Sequence, residues 1–149
     1  MNLHAPDLTQ HPPRSPRVRL GGYALLPRLL DKGRALVGGK LGEYKYNCPL
    51  DQRFFQFAGI DADALKQQLT AGKGDGEILA WITANSTTKP SPVEIEAWSA
   101  WQDKRTPTDP EGREFFNELH TKSGPQREDI ATWFDLLDLD DYASFGGKA

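Results

Sequence analysis

The sequence predicts an all-α fold, a single-domain irregular bundle of about six or seven short helices behind an extended N-terminal arm. Three observations predict it. Apolar residues recur at helical spacing in segment after segment, capping residues, prolines and glycines bracket those segments, and no stretch alternates convincingly as a strand.

Residues 1–22 are rich in Pro, Arg and Gly and carry no period, so they read as the arm, with residues 23–149 as the helical domain. In LPRLLDKGRALVGG, Leu26, Leu29, Leu30, Gly33 and Val37 share one face, Pro27 suits a first turn, and Gly38 and Gly39 supply a stop. A second helix runs from about Pro49 to Ala58 and ends at Gly59, with Phe54, Phe55 and Phe57 as its apolar bulk. Asp61 opens a third, carrying Leu65 and Leu69 and ending at Gly72. The fourth starts at Asp75 and groups Ile78, Leu79 and Ile82, with Asn85 near its end. The GKGDGE loop before it departs from the phosphate-loop pattern and reads as a tight turn feeding a helix.

The fifth helix begins at Ser91-Pro92-Val93-Glu94, a capping box, and its stripe is Ile95, Trp98 and Trp101. Asp109 and Pro110 open the sixth, whose core face is Phe115, Phe116 and Leu119 and whose last turn holds His120. In the seventh, Ile130, Trp133, Phe134 and Leu137 fall at i, i+3, i+4 and i+7. Trp98, Phe115, Phe116, Trp133, Phe134 and Leu137 are expected to meet in one core, and all four tryptophans, Trp81 included, to serve packing.

A chain of 149 residues, 38% hydrophobic and 26% charged, is long enough to bury a core without disulfides or metal. No apolar run approaches the ~20 residues that span a bilayer, and four prolines interrupt MNLHAPDLTQHPPRSPR, so no secretory leader is read there. A single cysteine fits a reducing compartment, and the expected location is the cytoplasm. Residues 1–50 carry net charge +5 and residues 51–149 carry −8. Opposite halves favour internal docking over a nucleic-acid partner. Arg14, Arg17 and Arg19 are expected to pair with acids, foremost Asp138, Asp140 and Asp141.

The segments PRSPRVRLGGY, GEYKYNCPLDQRFF and DIATWFDLLDLDDY resemble the bacterial family catalogued as domain of unknown function 5069, from about Leu8 to Ala149. The resemblance implies a small protein without transmembrane parts, in which the arm from Arg14 onward and the terminal SFGGKA belong to the domain. It brings no catalytic residue to carry over.

The chemistry-bearing residues are few. His4, His11, Cys48 and His120 show no paired spacing of the kind a zinc site requires, and no cofactor is expected. Asp138, Asp140 and Asp141, with Asp135, oppose the dipole of the last helix and call for an offsetting partner, either a cation or the arm's arginines. The segment around Cys48 concentrates polar groups beside aromatics: Cys48, Tyr46 and Arg53 are candidates for catalysis, and Tyr44, Asn47 and Asp51 for ligand binding. Cys48-Pro49-Leu50-Asp51 also repeats the cap, proline and acid order of the other helix starts, so Cys48 is expected to be a mostly buried structural cap. Two function classes follow. One is a non-catalytic interaction or regulatory module with a protein or small-molecule partner, without membrane or nucleic acid; the other is a small-molecule-binding or thiol-dependent enzyme centred on Cys48.

Overall fold

The structure, a computed structural model, describes residues 4–149. Residues 4–18 lie along the bundle without regular structure, yet Leu8, Pro13 and Pro16 are buried and the Leu8 N–H donates to the Lys40 carbonyl at 2.9 Å. The chain then forms a two-residue antiparallel ladder, β1 (Arg19–Leu20) with β2 (Tyr23–Ala24). This element was not expected, because two residues are too few to show alternation. Its signal lies in the Gly21-Gly22 pair, whose φ values of 59° and 84° are the two positive angles of a type I′ hairpin turn. A Cβ on Gly21 would also come within 2.5 Å of the Leu79 side chain.

Seven helices follow: α1 (Leu26–Val37), α2 (Pro49–Ala58), α3 (Ala62–Thr70), α4 (Asp75–Asn85), α5 (Pro92–Lys104), α6 (Pro110–Ser123) and α7 (Trp133–Ser144). Asp61, Ser91 and Asp109 cap as expected, each side-chain oxygen accepting a backbone N–H three residues on. Helix α7 starts later than the Ile130 spacing suggests. Thr132 caps it and exchanges hydrogen bonds with Asp135, leaving Ile130 buried in the preceding loop. Gly59 ends α2 at φ 67°, and a Cβ there would lie 2.7 Å from the Thr88 N–H, so this close approach of α2 to the loop after α4 requires glycine.

Helix α1 is the spine. Leu26, Leu29 and Leu30 are fully buried against Phe54, Leu65, Leu69, Ile78 and Ile82, each contributing about 1.5–3 kcal/mol of apolar burial. Gly33 lets α3 approach, since a Cβ there would meet Leu69 at 2.4 Å. The expected single aromatic centre is divided instead. Phe116 packs with Ile130, Leu136 and Leu139, with Trp133 half-buried at the margin, while Phe134 packs with Ala24 and Leu25, flanked by Trp98 and Leu137. Phe115, expected in that core, is 59% exposed, and Trp101, expected to serve packing, is 56% exposed. The helical period assigns a face but cannot say how wide the covered stripe is; both rings sit at the edge of the stripe on the last helix pairings.

Arginines dock the arm. Arg14 bonds both Asp31 and Asp75, Arg17 bonds Asp135 and Asp138, and Arg19 bonds Asp103 at 2.9 Å. Of the three acids expected as partners only Asp138 serves. Asp141 is held instead by Arg28 of α1, a buried pair at 2.7 Å, and among the described residues Asp140 accepts a side-chain hydrogen bond only from Ser144 Oγ, at 3.4 Å. Among the described residues no helix is long and apolar enough to cross a membrane.

Candidate functional site

The polar segment before α2 does not converge on one point. Lys32, buried on α1, reaches across it: its Nζ donates to both oxygens of buried Asp51 (3.0 and 2.8 Å) and to the Lys45 carbonyl at 2.9 Å, with Cys48 Sγ at 3.5 Å. Asp51 also accepts the Asn47 N–H at 3.0 Å, where Asn47 adopts φ 63°. The segment is thus folded around a buried ammonium. Cys48 occupies the cap position of α2 as expected, but its side chain makes no capping bond and is half-buried. Tyr46 donates to the Ala62 carbonyl at 2.8 Å and Tyr44 to Asp141 at 2.7 Å. Burial, reinforced by the neighbouring carboxylates Asp51 and Asp141 respectively, pushes both phenols up. His120 donates from Nε2 to the Arg127 carbonyl at 2.7 Å.

The C-terminal acids likewise diverge. Asp138 turns to Ser15 and Arg17, Asp141 to Arg28 and Tyr44, and Asp140 into a cleft of about 550 Å³ bounded by Leu8, Tyr44, Leu119, Lys122 and Phe145. Burial and then the charge of Asp141 push the Asp140 carboxyl up. Among the described residues no three His, Cys, Asp or Glu are grouped to hold a metal. A second cleft, of about 400 Å³, is lined by Arg14, Asp31, Arg34, Lys73 and Asp75. Its arginines are already engaged, since Asp75 accepts from Arg14 and Arg34 at 2.8 Å each, and these bonds hold its carboxyl below the usual range.

Arg53 leaves this segment altogether. It projects from the other side of α2, its guanidinium carbon 5.9 Å from the ring centre of Trp101, while Arg105 at the C-terminal cap of α5 stands 5.5 Å from the same ring. Neither has a carboxylate partner among the described residues, whereas every arginine before residue 50, and Arg127, has one; Arg113, whose guanidinium carbon is 5.3 Å from the Phe116 ring centre, is the third arginine without. Burial, and secondarily the charge of Arg53, pull the Arg105 guanidinium down from its ordinary value. Ala97, one turn before Trp101, is exposed and too small to cover the indole. Beyond Arg105, whose carbonyl accepts the Trp133 N–H at 3.0 Å, the Trp133 ring leads to exposed Phe115, the two centroids 6.3 Å apart. Sequence reasoning placed Arg53 in the Cys48 group and Trp101 in the core. Apolar spacing gave no signal against that placement, because the fully buried residues of α5 are the polar Ser99 and Gln102, with Ile95 and Trp98 only partly buried.

Fold and surface together define a small irregular helical bundle with an ion-paired frame and, around Trp101, an aromatic and cationic surface without carboxylate partners among the described residues. The chain belongs to the family described as Domain of unknown function (DUF5069), which matches residues 10–143. Comparison with the curated proteins gives no match.

Proposed function

We propose that this protein is a non-catalytic interaction module, acting in the cytoplasm, that docks on another molecule through the surface around Trp101. One observation carries the reading. The arm's arginines and the buried Arg28 and Lys32 pair with carboxylates, whereas two arginines stand beside an exposed indole with no acid to neutralise them among the described residues. Exposed aromatic surface flanked by cations is what interface centres are made of, Trp and Arg being the residues most enriched at energetic hot spots. A photo-crosslinking side chain at Ala97 is expected to give a discrete adduct of higher mass in the native host, and the same side chain at exposed Gln67 on α3 none. Equal labelling from both positions, or none from Ala97, would count against docking at this surface.

A thiol-dependent enzyme is the second reading, favoured by Cys48 Sγ lying 3.5 Å from the Lys32 ammonium. It is weakened by the engagement of that ammonium with Asp51 and by the structural bonds of Tyr44 and Tyr46. Slow alkylation of the native protein and fast alkylation after unfolding are expected; rapid native labelling would restore the enzyme reading.

A further inference from the structure

Trp101, Arg53 and Arg105 lie outside the clefts described above, so nothing encloses a small molecule there, and an open surface suits a chain segment. Among the described residues no carboxylate accepts from the guanidinium groups of exposed Arg53 and half-buried Arg105, and the indole near both keeps 56% of its surface in solvent. The complement is a segment offering carboxylates to the forks and an apolar or aromatic side chain to the ring.

We infer that this surface binds an acidic, aromatic-bearing peptide segment of a partner protein. The inference rests on the docking reading above. Two other occupants match less well. A nucleic acid draws its affinity from many phosphate contacts, typically about 6–10, whereas two free guanidinium groups stand here in the half of the chain that carries net charge −8. A second copy docking face to face on the same patch would set four guanidinium groups against one another, since a two-fold interface opposes each patch to itself.

The test uses fluorescence anisotropy with a labelled peptide of alternating glutamate and phenylalanine, its lysine counterpart, and a labelled oligouridylate, each titrated to millimolar protein. The glutamate peptide is expected to bind with an affinity that falls as salt rises, and the other two are not. Trp101→Ala and the double variant Arg53→Glu/Arg105→Glu should each weaken binding by about tenfold or more, the loss expected of a hot-spot residue, with unchanged thermal midpoints. Trp101→Phe, which keeps an aromatic platform, should retain most of the affinity, and the double-charge variant should gain the lysine peptide. Failure of the glutamate peptide to bind, indifference to these substitutions, preference for the oligouridylate, or a Trp101-dependent dimer in sedimentation would each overturn the inference. If the Ala97 adduct persists while the glutamate peptide fails, only the partner's chemistry is wrong; if the adduct is also absent, the docking reading falls with it.

Discussion

Lys32 and Asp51 decide more of the local structure than the cysteine beside them. Both are buried, and removing one partner leaves the other charge without compensation in a poorly solvated place. Asp51→Ala is expected to cost about 3–5 kcal/mol in urea unfolding. The double variant Lys32→Met/Asp51→Leu should recover a large part of that, though not all, because the Asn47 N–H also loses its acceptor. Asp75 and Asp140 show opposite signs of linkage. The Asp75 carboxyl is held low by Arg14 and then Arg34, so its contribution is present above the unfolded-state value and is lost as pH falls through the folded value. Asp75→Asn should therefore destabilise the protein at neutral pH, the two unfolding curves converging in acid. The Asp140 carboxyl is pushed up by burial and Asp141, so ionising it opposes folding and its cost disappears as pH falls through the folded value. Asp140→Asn should raise the thermal midpoint at pH 7 and lose that advantage in acid.

Helices α6 and α7 show how one period gives two outcomes. Phe115 and Phe116 are adjacent in α6, about 100° apart around its axis, yet Phe116 is 1% exposed and Phe115 59%. Phe134 on α7 is fully buried between the hairpin and α5. Phe134→Ala is expected to cost about 3–5 kcal/mol, and Phe115→Ala within about 0.5 kcal/mol of zero, both measured by denaturant midpoint. The arm behaves as an element too. Removing residues 1–17 takes away buried Leu8, Pro13 and Pro16 together with the Arg14 and Arg17 pairs. The thermal midpoint should fall, and the deficit should persist in molar salt, since screening weakens ion pairs but not apolar burial. A deficit that vanishes in salt would mean that charge alone holds the arm.

Across the whole molecule the opposite charges of the two halves are resolved internally, from Arg14 to Asp75, Arg17 to Asp138, Arg28 to Asp141 and Lys32 to Asp51. Arg53 and Arg105 are the contrast. Burial, and then the charge of Arg53, lower the Arg105 guanidinium, so keeping Arg105 charged there opposes folding, and neutralising Arg105 relieves both effects. Arg105→Gln is accordingly expected to leave the thermal midpoint unchanged or raise it while weakening the glutamate peptide. Stability and binding moving in opposite directions is the mark of a surface kept for a partner.

Helix number and most helix limits, the start of α7 excepted, were legible in the residues, because caps, first-turn prolines and terminal glycines act within a few positions: Pro49 to Gly59, Ser91 with Glu94, and Asp109 with Pro110 all stand where local chemistry puts them. The family likeness was legible for the same reason, since it rests on contiguous segments. The β1–β2 ladder was hidden, although Gly21-Gly22 marked its turn, because a two-residue strand has no period. The candidate surface was hidden for a different reason. Whether Trp101 is covered depends on what packs against α5, and only there do Arg53 from α2 and Arg105 from the end of α5 meet one ring, just as only the fold brings Lys32 to Asp51 and Arg28 to Asp141. The sequence by itself determined the helices, most of their ends and the sign of each half's charge, which are local or additive properties. The tertiary structure decided which charge meets which and which aromatic stays in water, because pairing and burial depend on distances between residues far apart in the chain.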